Sequence, residues 1–156
     1  MRIVSVRLGR SPLTPSNERQ ERAAGRREAE ERKSMKIQES AENYLETILI
    51  LSERKGMVRS IDVVNELEVT KPSVSVAMKN LRENGYITMG ADGAIHLTDK
   101  GRVIAETMYE RHTLISDWLV QLGVDPQTAV RDACRIEHVI SAESFDAIKR
   151  HVGQKG

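Results

Sequence analysis

Near the end of the chain, Asp132-Ala133-Cys134-Arg135-Ile136-Glu137-His138-Val139-Ile140-Ser141 holds the one cysteine and one of the four histidines, with a carboxylate between them. On a helix, Glu137 and His138 follow Cys134 by three and four positions, so all three project onto one side. Sulfur, imidazole nitrogen and carboxylate oxygen together suit a divalent first-row transition metal such as Fe(II) or Mn(II) better than Ca²⁺ or Mg²⁺. The same string also reads as a surface Glu-His pair beside a buried cysteine. Taken alone it favours that plainer arrangement, because a free cysteine is usually a small buried hydrophobe. A lone cysteine forms no internal disulfide, which fits a reducing compartment and leaves Cys134 free for chemistry.

The elements that must position these residues are bounded by the totals. A chain of 156 residues has room for one ordinary domain or two small ones. Charged residues make up 30%, hydrophobic 39% and aromatic 3%, a balance typical of helix-rich proteins with cores of Ile, Leu, Val and Met. No stretch approaches the roughly 18 apolar residues of a membrane span, and no signal-peptide pattern opens the chain. A cytoplasmic protein without a membrane partner is therefore expected. The net charge of +1 hides an asymmetry, with +4 on residues 1–34 and −3 on the remainder. Nucleic-acid binding must then rest on where charges sit.

Residues 1–17 show no sustained period, and Pro12 and Pro15 interrupt any helix there. The Glu/Arg/Ala run from Asn17 to Lys33 could form a solvated helix with paired charges but has almost no apolar face to bury, so residues 1–34 are expected to be a disordered or charged extension. A basic arm adding phosphate contacts is the functional alternative. Met35 is also a candidate start of the native protein.

From Met35 the pattern sharpens. Ile37, Ala41, Tyr44, Leu45, Ile48, Leu49 and Leu51 recur at helical spacing, and Gly56 ends the run. A short helix over 60–67 and a tight connection at Glu68-Val69 lead to a helix over 70–81, with Thr70 as N-cap and Pro72 in the first turn. Two short helices joined this way form a helix-turn-helix. On the second, the hydroxyls of Thr70, Ser73 and Ser75 together with Lys71 can hold phosphates, while Pro72 and Val76 offer apolar surface to thymine methyl groups and Lys79 reaches the backbone. With no Arg, Asn or Gln in the exposed first two turns, specificity is expected to lean on methyl contacts and DNA shape. Two short strands, 86–89 and 94–98, flank a turn at Gly90-Ala91-Asp92-Gly93 and make the hairpin wing. His96 faces solvent there and receives no metal role.

Beyond Asp99, Val103, Ile104, Met108, His112, Ile115, Leu119 and Leu122 mark a long helix that Gly123 stops. Asp125-Pro126 starts another through Val130, Cys134, Ile136 and Val139, and Ser141 caps a last one carrying Phe145, Ile148 and Val152. This half holds more apolar surface than it can bury alone, so a homodimer is expected.

The sequence here resembles the diphtheria toxin repressor family of iron- and manganese-dependent transcriptional regulators, over about residues 36–152. The resemblance rests on Glu42-Asn43-Tyr44-Leu45-Glu46, the helix at 70–81, Leu97-Thr98-Asp99-Lys100-Gly101, Arg111-His112-Thr113-Leu114 and, above all, the string Asp132 to Ser141. It reverses the plainer reading of that string. It implies a mainly α fold: a winged helix-turn-helix DNA-binding domain (35–98) followed by an all-helical metal-binding and dimerisation domain (99–152), with a tail at 153–156. The resemblance implies the short manganese-regulator form, expected to be without the SH3-like third domain of larger relatives. It also implies a primary metal site of Asn43, Cys134, Glu137 and His138, with position 134 giving its backbone carbonyl as well as, or instead of, its side chain. A second site would use Glu46 and His112 and share Glu137 or Cys134.

Members that favour iron resemble this chain at Cys134 but have Met at position 43. Manganese members resemble it at Glu46 and His112 but have Asp at 43 and Glu at 134. Asn43 matches neither, and its amide oxygen is a weaker ligand than a carboxylate. The ancillary site of larger iron regulators is incomplete, with Ser116 and Val130 where ligands would stand, and His151 is structural or exposed.

The expected function is a transcriptional regulator, a repressor of metal-uptake genes, in which Mn(II) or Fe(II) clamps the first helix to the dimerising half. That clamp would set two recognition helices roughly 34 Å apart on a palindromic double-stranded operator. The alternative is a winged-helix DNA- or protein-binding module that no longer responds to metal. An enzyme is not expected: the chain has no His-Glu-x-x-His, nucleophile motif or phosphate loop.

Overall fold

The computed structural model describes residues 15–153; residues 1–14 and 154–156, with the expectations placed on them, lie outside the described residues. The described residues fall into two units that divide after Ile37. Helix α1 runs over Pro15–Lys55. It begins well before Met35 and takes in the Glu/Arg/Ala run. Pro15 does not interrupt this helix but opens it, at the position where its missing N–H costs nothing. Glu, Arg and Ala are strong helix formers that need no buried face, and residues 19–34 are accordingly exposed.

Within the second unit α1 carries Tyr44, Leu45, Ile48, Leu49 and Leu51 into a core shared with Val58, Val63, Val74, Met78, Leu81, Ile87, Ile95 and Ala105. Gly56 ends α1 at φ +79°. Helix α2 (Ser60–Leu67) is closed by Glu68 in the left-handed region, and α3 (Lys71–Glu83) follows after two residues. The Thr70 side chain accepts from Ser73 N at 3.3 Å, so the expected cap is in place.

Strands β1 (Ile87–Met89) and β2 (Ile95–Leu97) pair antiparallel, with Ile87 opposite Leu97 and Met89 opposite Ile95. Ile95 N also donates to Val58 O at 2.8 Å, which stitches the wing to the loop after α1. Thr98 caps helix α4 (Asp99–Gln121) by accepting from Gly101 N at 3.2 Å. Its hydroxyl lies 2.7 Å from Gly85 O, and its own N–H donates to Tyr86 O at 3.0 Å. Wing and α4 are thus joined through backbone.

Helix α4 leaves the first core at Ala105 and enters a second at Ile115, formed with Ala133 and Phe145. Helices α5 (Pro126–Val139) and α6 (Ala142–Gly153) complete it. Ser144 N donates to Ser141 Oγ at 3.1 Å, giving the cap expected before α6. Val130 and Val139, on the apolar face of α5, are exposed, Val139 by 68%, so this half does leave apolar surface unburied. No helix among the described residues is long and apolar enough to cross a membrane.

Candidate metal centre and nucleic-acid interface

Helix α3 presents Lys71, Pro72, Ser73, Ser75, Val76 and Lys79 on its exposed side, with Thr70 at its start. Val74, Met78 and Leu81 anchor the opposite side in the core. Val76 is 60% exposed, an apolar contact held out to solvent. Lys79 lies 3.8 Å from Glu83, a loose surface pair that phosphate can displace. The hydroxyls of Thr70 and Ser73 hydrogen-bond to each other at 2.7 Å, which orients both at the helix start. Lys71, Lys79 and Arg82 line one groove between α2, α3 and the wing residue Met89. Arg82 escaped the sequence reading because it lies a turn beyond the residues expected to face a duplex.

The other constellation is assembled from three helices. Glu42 and Glu46 lie one turn apart on α1, His112 is midway along α4, and Cys134, Glu137 and His138 are on α5. Helix α5 starts where Asp125 Oδ2 accepts from Thr128 N at 3.1 Å, with Pro126 in its first turn. Its last turn is held by Arg111 of α4, whose Nη1 donates to Glu137 O at 3.0 Å and to Ile140 O at 3.4 Å. A guanidinium there faces the negative end of the helix dipole. That anchor places the Glu137 side chain, 0% exposed, at the α1–α4–α5 junction.

Ligand-type atoms of Cys134, Glu137 and His138 lie within 4.8 Å of one another, and so do those of Glu46, His112 and Glu137. Glu137 is common to both groups. Its Oε2 meets His112 Nδ1 at 2.8 Å, and its Oε1 lies 3.3 Å from His138 Nε2. Two buried oxygens, Oε1 of Glu46 and Oε1 of Glu137, have no hydrogen-bond partner. Unpaired buried carboxylate oxygens are costly. Here they converge with two imidazoles and a thiol, so the donor set fits a divalent transition cation.

The ionisation of these groups points the same way. Burial, followed by the negative charge of Glu137, pushes the Glu46 carboxyl up to about 7, against the pull of His112. The hydrogen bond to Glu137 is the main cause raising His112 above its usual range. Cys134 sits at the exposed edge of the cluster. Desolvation of its sulfur, then Glu137 and Glu46, raises its thiol. The cluster has an excess of negative charge that it relieves by holding protons.

A protonated Glu46 contributes stability to the metal-free protein that is fully present below pH 4.5 and lost as pH rises through about 7. Glu46→Gln removes that titration. Its metal-free form is expected to exceed the wild-type protein in stability by about 2 kcal/mol at pH 8, with the difference shrinking toward pH 5. Urea unfolding in chelator at the two pH values measures it.

Of the residues expected at the primary site, Cys134, Glu137 and His138 come together. Glu46 and His112 join them through Glu137. Asn43 is half-buried on α1, and its carbonyl accepts from Thr47 Oγ1 at 2.8 Å. From the same turn of α1, Glu42 also reaches α5, its Oε2 lying 2.9 Å from His138 Nδ1. Only the i, i+4 spacing of Glu42 and Glu46 could have signalled it, and that spacing is common on any solvated helix.

A winged helix whose first helix also lines a cluster of carboxylates, imidazoles and a thiol defines a metal-dependent, DNA-binding transcriptional regulator. Residues 36–95 match the family described as iron dependent repressor, N-terminal DNA binding domain, and residues 98–155 match iron dependent repressor, metal binding and dimerisation domain. The chain belongs to this iron-dependent repressor family. It is 35% identical to the transcriptional regulator MntR of Salmonella typhimurium over 118 residues, 76% of this chain and 75% of that one. It is 36% identical to the HTH-type transcriptional regulator MntR of Shouchella clausii over 109 residues, 70% of this chain and 76% of the other. Among solved structures, it is similar to the metal-dependent transcriptional regulator MtsR (TM-score 0.68, 27% identity, 72% of this chain). It is also similar to a manganese-dependent transcriptional repressor in complex with manganese (TM-score 0.67, 29% identity, 72% of this chain). The chain spans about half the length of these solved structures, 53% and 52%.

Proposed function

We propose that this protein is a cytoplasmic, homodimeric repressor of metal-uptake genes that binds a palindromic operator when Mn(II) or Fe(II) is available, and that it is not an enzyme. The observation that carries this reading is the meeting of α1, which is packed into the DNA-reading core, with α4 and α5 at Glu137. A divalent cation supplies positive charge to the unpaired oxygens of Glu46 and Glu137. Cys134, Glu137 and His138 would hold one cation, with Asn43 beside them on α1. Glu46 and His112 would hold a second and share Glu137. Residues 35–98 then act as the reader and 99–152 as the sensing and dimerising half. Cation binding favours the arrangement of recognition helices that fits the operator, and only its differential affinity for that arrangement can shift the population. In the reader, Thr70, Lys71, Ser73, Ser75 and Lys79 would hold phosphates, and Pro72 and Val76 would face thymine methyl groups. The exposed Val103, Val130 and Val139 supply apolar surface for a second copy.

A second reading rests on Asn43. Its neutral amide stands where a stronger ligand would be expected, and a winged-helix module indifferent to metal would tolerate it. Binding to a palindromic duplex, measured in chelator and then with Mn(II), Fe(II), Co(II) and Zn(II), separates the two. At least one of the first two cations is expected to raise affinity more than tenfold; equal affinity under all conditions would establish the second reading.

A further inference from the structure

The ring of His138 is held from both sides. Nδ1 lies 2.9 Å from Glu42 Oε2, with the two side chains only 9% and 14% exposed, and Nε2 lies 3.3 Å from Glu137 Oε1. Only the first contact is a hydrogen bond, since Glu137 Oε1 has no hydrogen-bond partner. A carboxylate accepts and does not donate, so the proton shared with Glu42 resides on Nδ1. In the neutral ring, the form in which histidine ligates a metal, Nε2 is left with its lone pair beside a buried, unpaired carboxylate oxygen. Two acceptors facing each other call for a cation between them.

Glu42 is on the far side of the ring from that oxygen and outside the group formed by Cys134, Glu137 and His138. It therefore acts through the histidine. Glu42 also brings a carboxyl group to the site from α1, where its neighbour Asn43 offers an amide.

We propose that Glu42 is the positioning residue of the metal centre: by accepting the Nδ1 proton of His138 it fixes the tautomer that presents Nε2 to the cation, and it ties α1 to α5 before any cation binds. Outer carboxylates that orient a ligating histidine typically contribute 10–100-fold to metal affinity. This inference rests on the metal-binding reading above and adds a residue that makes the interdomain contact without being a ligand.

The test uses the full chain and Mn(II) alone, with binding read from loss of the free Mn(II) resonance in electron paramagnetic resonance. Glu42→Ala is expected to bind the same number of ions about 10–100-fold more weakly. Glu42→Gln, whose amide oxygen still accepts the Nδ1 proton, is expected to recover most of that loss. In the metal-free wild-type protein, imidazole ¹⁵N shifts should place the His138 proton on Nδ1, and in Glu42→Ala that preference should disappear. Unchanged affinity in Glu42→Ala, a wild-type His138 protonated on Nε2 alone, or loss of a bound ion in place of weakened binding would each overturn the role. The wild-type tautomer depends on no variant folding. If instead the wild-type protein binds Mn(II) without any change in DNA affinity, the proposed function fails while the positioning role stands.

Discussion

Glu137→Gln is expected to erase the metal dependence of DNA binding while leaving a folded protein. Glu137 is the one residue shared by both ligand groups, and its oxygens reach toward His112 and His138. The substitution preserves shape and leaves untouched the main-chain oxygen that receives Arg111. It removes the charge that opposes the cation and that raises the carboxyl of Glu46 and the imidazole of His112. Loss of an outer-sphere partner costs up to about 100-fold in metal affinity, so loss of the shared inner carboxylate should cost more than about 100-fold. Fluorescence anisotropy of a labelled palindromic duplex, titrated with Mn(II) at fixed protein concentration, should give a flat line at the affinity found in chelator. A response retained within a few-fold of the wild-type protein would remove Glu137 from the centre of the mechanism. The comparison with Glu46→Gln is informative, because that change touches only the group containing His112 and should leave a partial response.

The second large effect concerns stability. A Cβ built on Gly101 would lie 2.0 Å from Tyr86 O, a main-chain atom already engaged by Thr98 N at 3.0 Å. Neither partner can yield without breaking the joint between wing and α4. Gly101→Ala is therefore expected to destabilise the protein by about 3 kcal/mol, at the upper end of overpacking penalties. This corresponds to a fall of roughly 6–12 °C in Tm for a chain of this size. A thermal melt followed by circular dichroism measures it, and a shift below 2 °C would show that the joint relaxes easily. Gly25, with nothing within 4 Å of an added Cβ, provides the control.

The reader was the most legible part of the chain. Thr70, Pro72 and Ser73 announce the start of α3 through capping chemistry that needs no tertiary context, and Gly85 marks its end with φ +75°. The Cys134-x-x-Glu137-His138 spacing likewise places three donors on one helical face. Contacts across long sequence separations were hidden. Glu42 and His138 are 96 positions apart, and nothing in the local pattern distinguishes Glu42 from the other carboxylates of a highly charged helix. Val130 and Val139 match the spacing of Ala133 and Ile136, but a helix packed along one neighbour and one short partner buries only part of its apolar stripe. The start of α1 was legible only in composition, since helices of strong formers with paired charges do not need amphipathicity.

Helix α4 passes through both cores as one unbroken element, with Ala105 in the first and Ile115 in the second. It works as a stiff shaft with no elastic joint between its two bearings. From His112 back to Thr98 is about 21 Å of helix, so a tilt of 5° at the sensor sweeps the wing end through about 2 Å. Under the proposed function, such gearing would give a small rearrangement around one buried carboxylate enough travel at the far end to shift a recognition helix in or out of register with its groove.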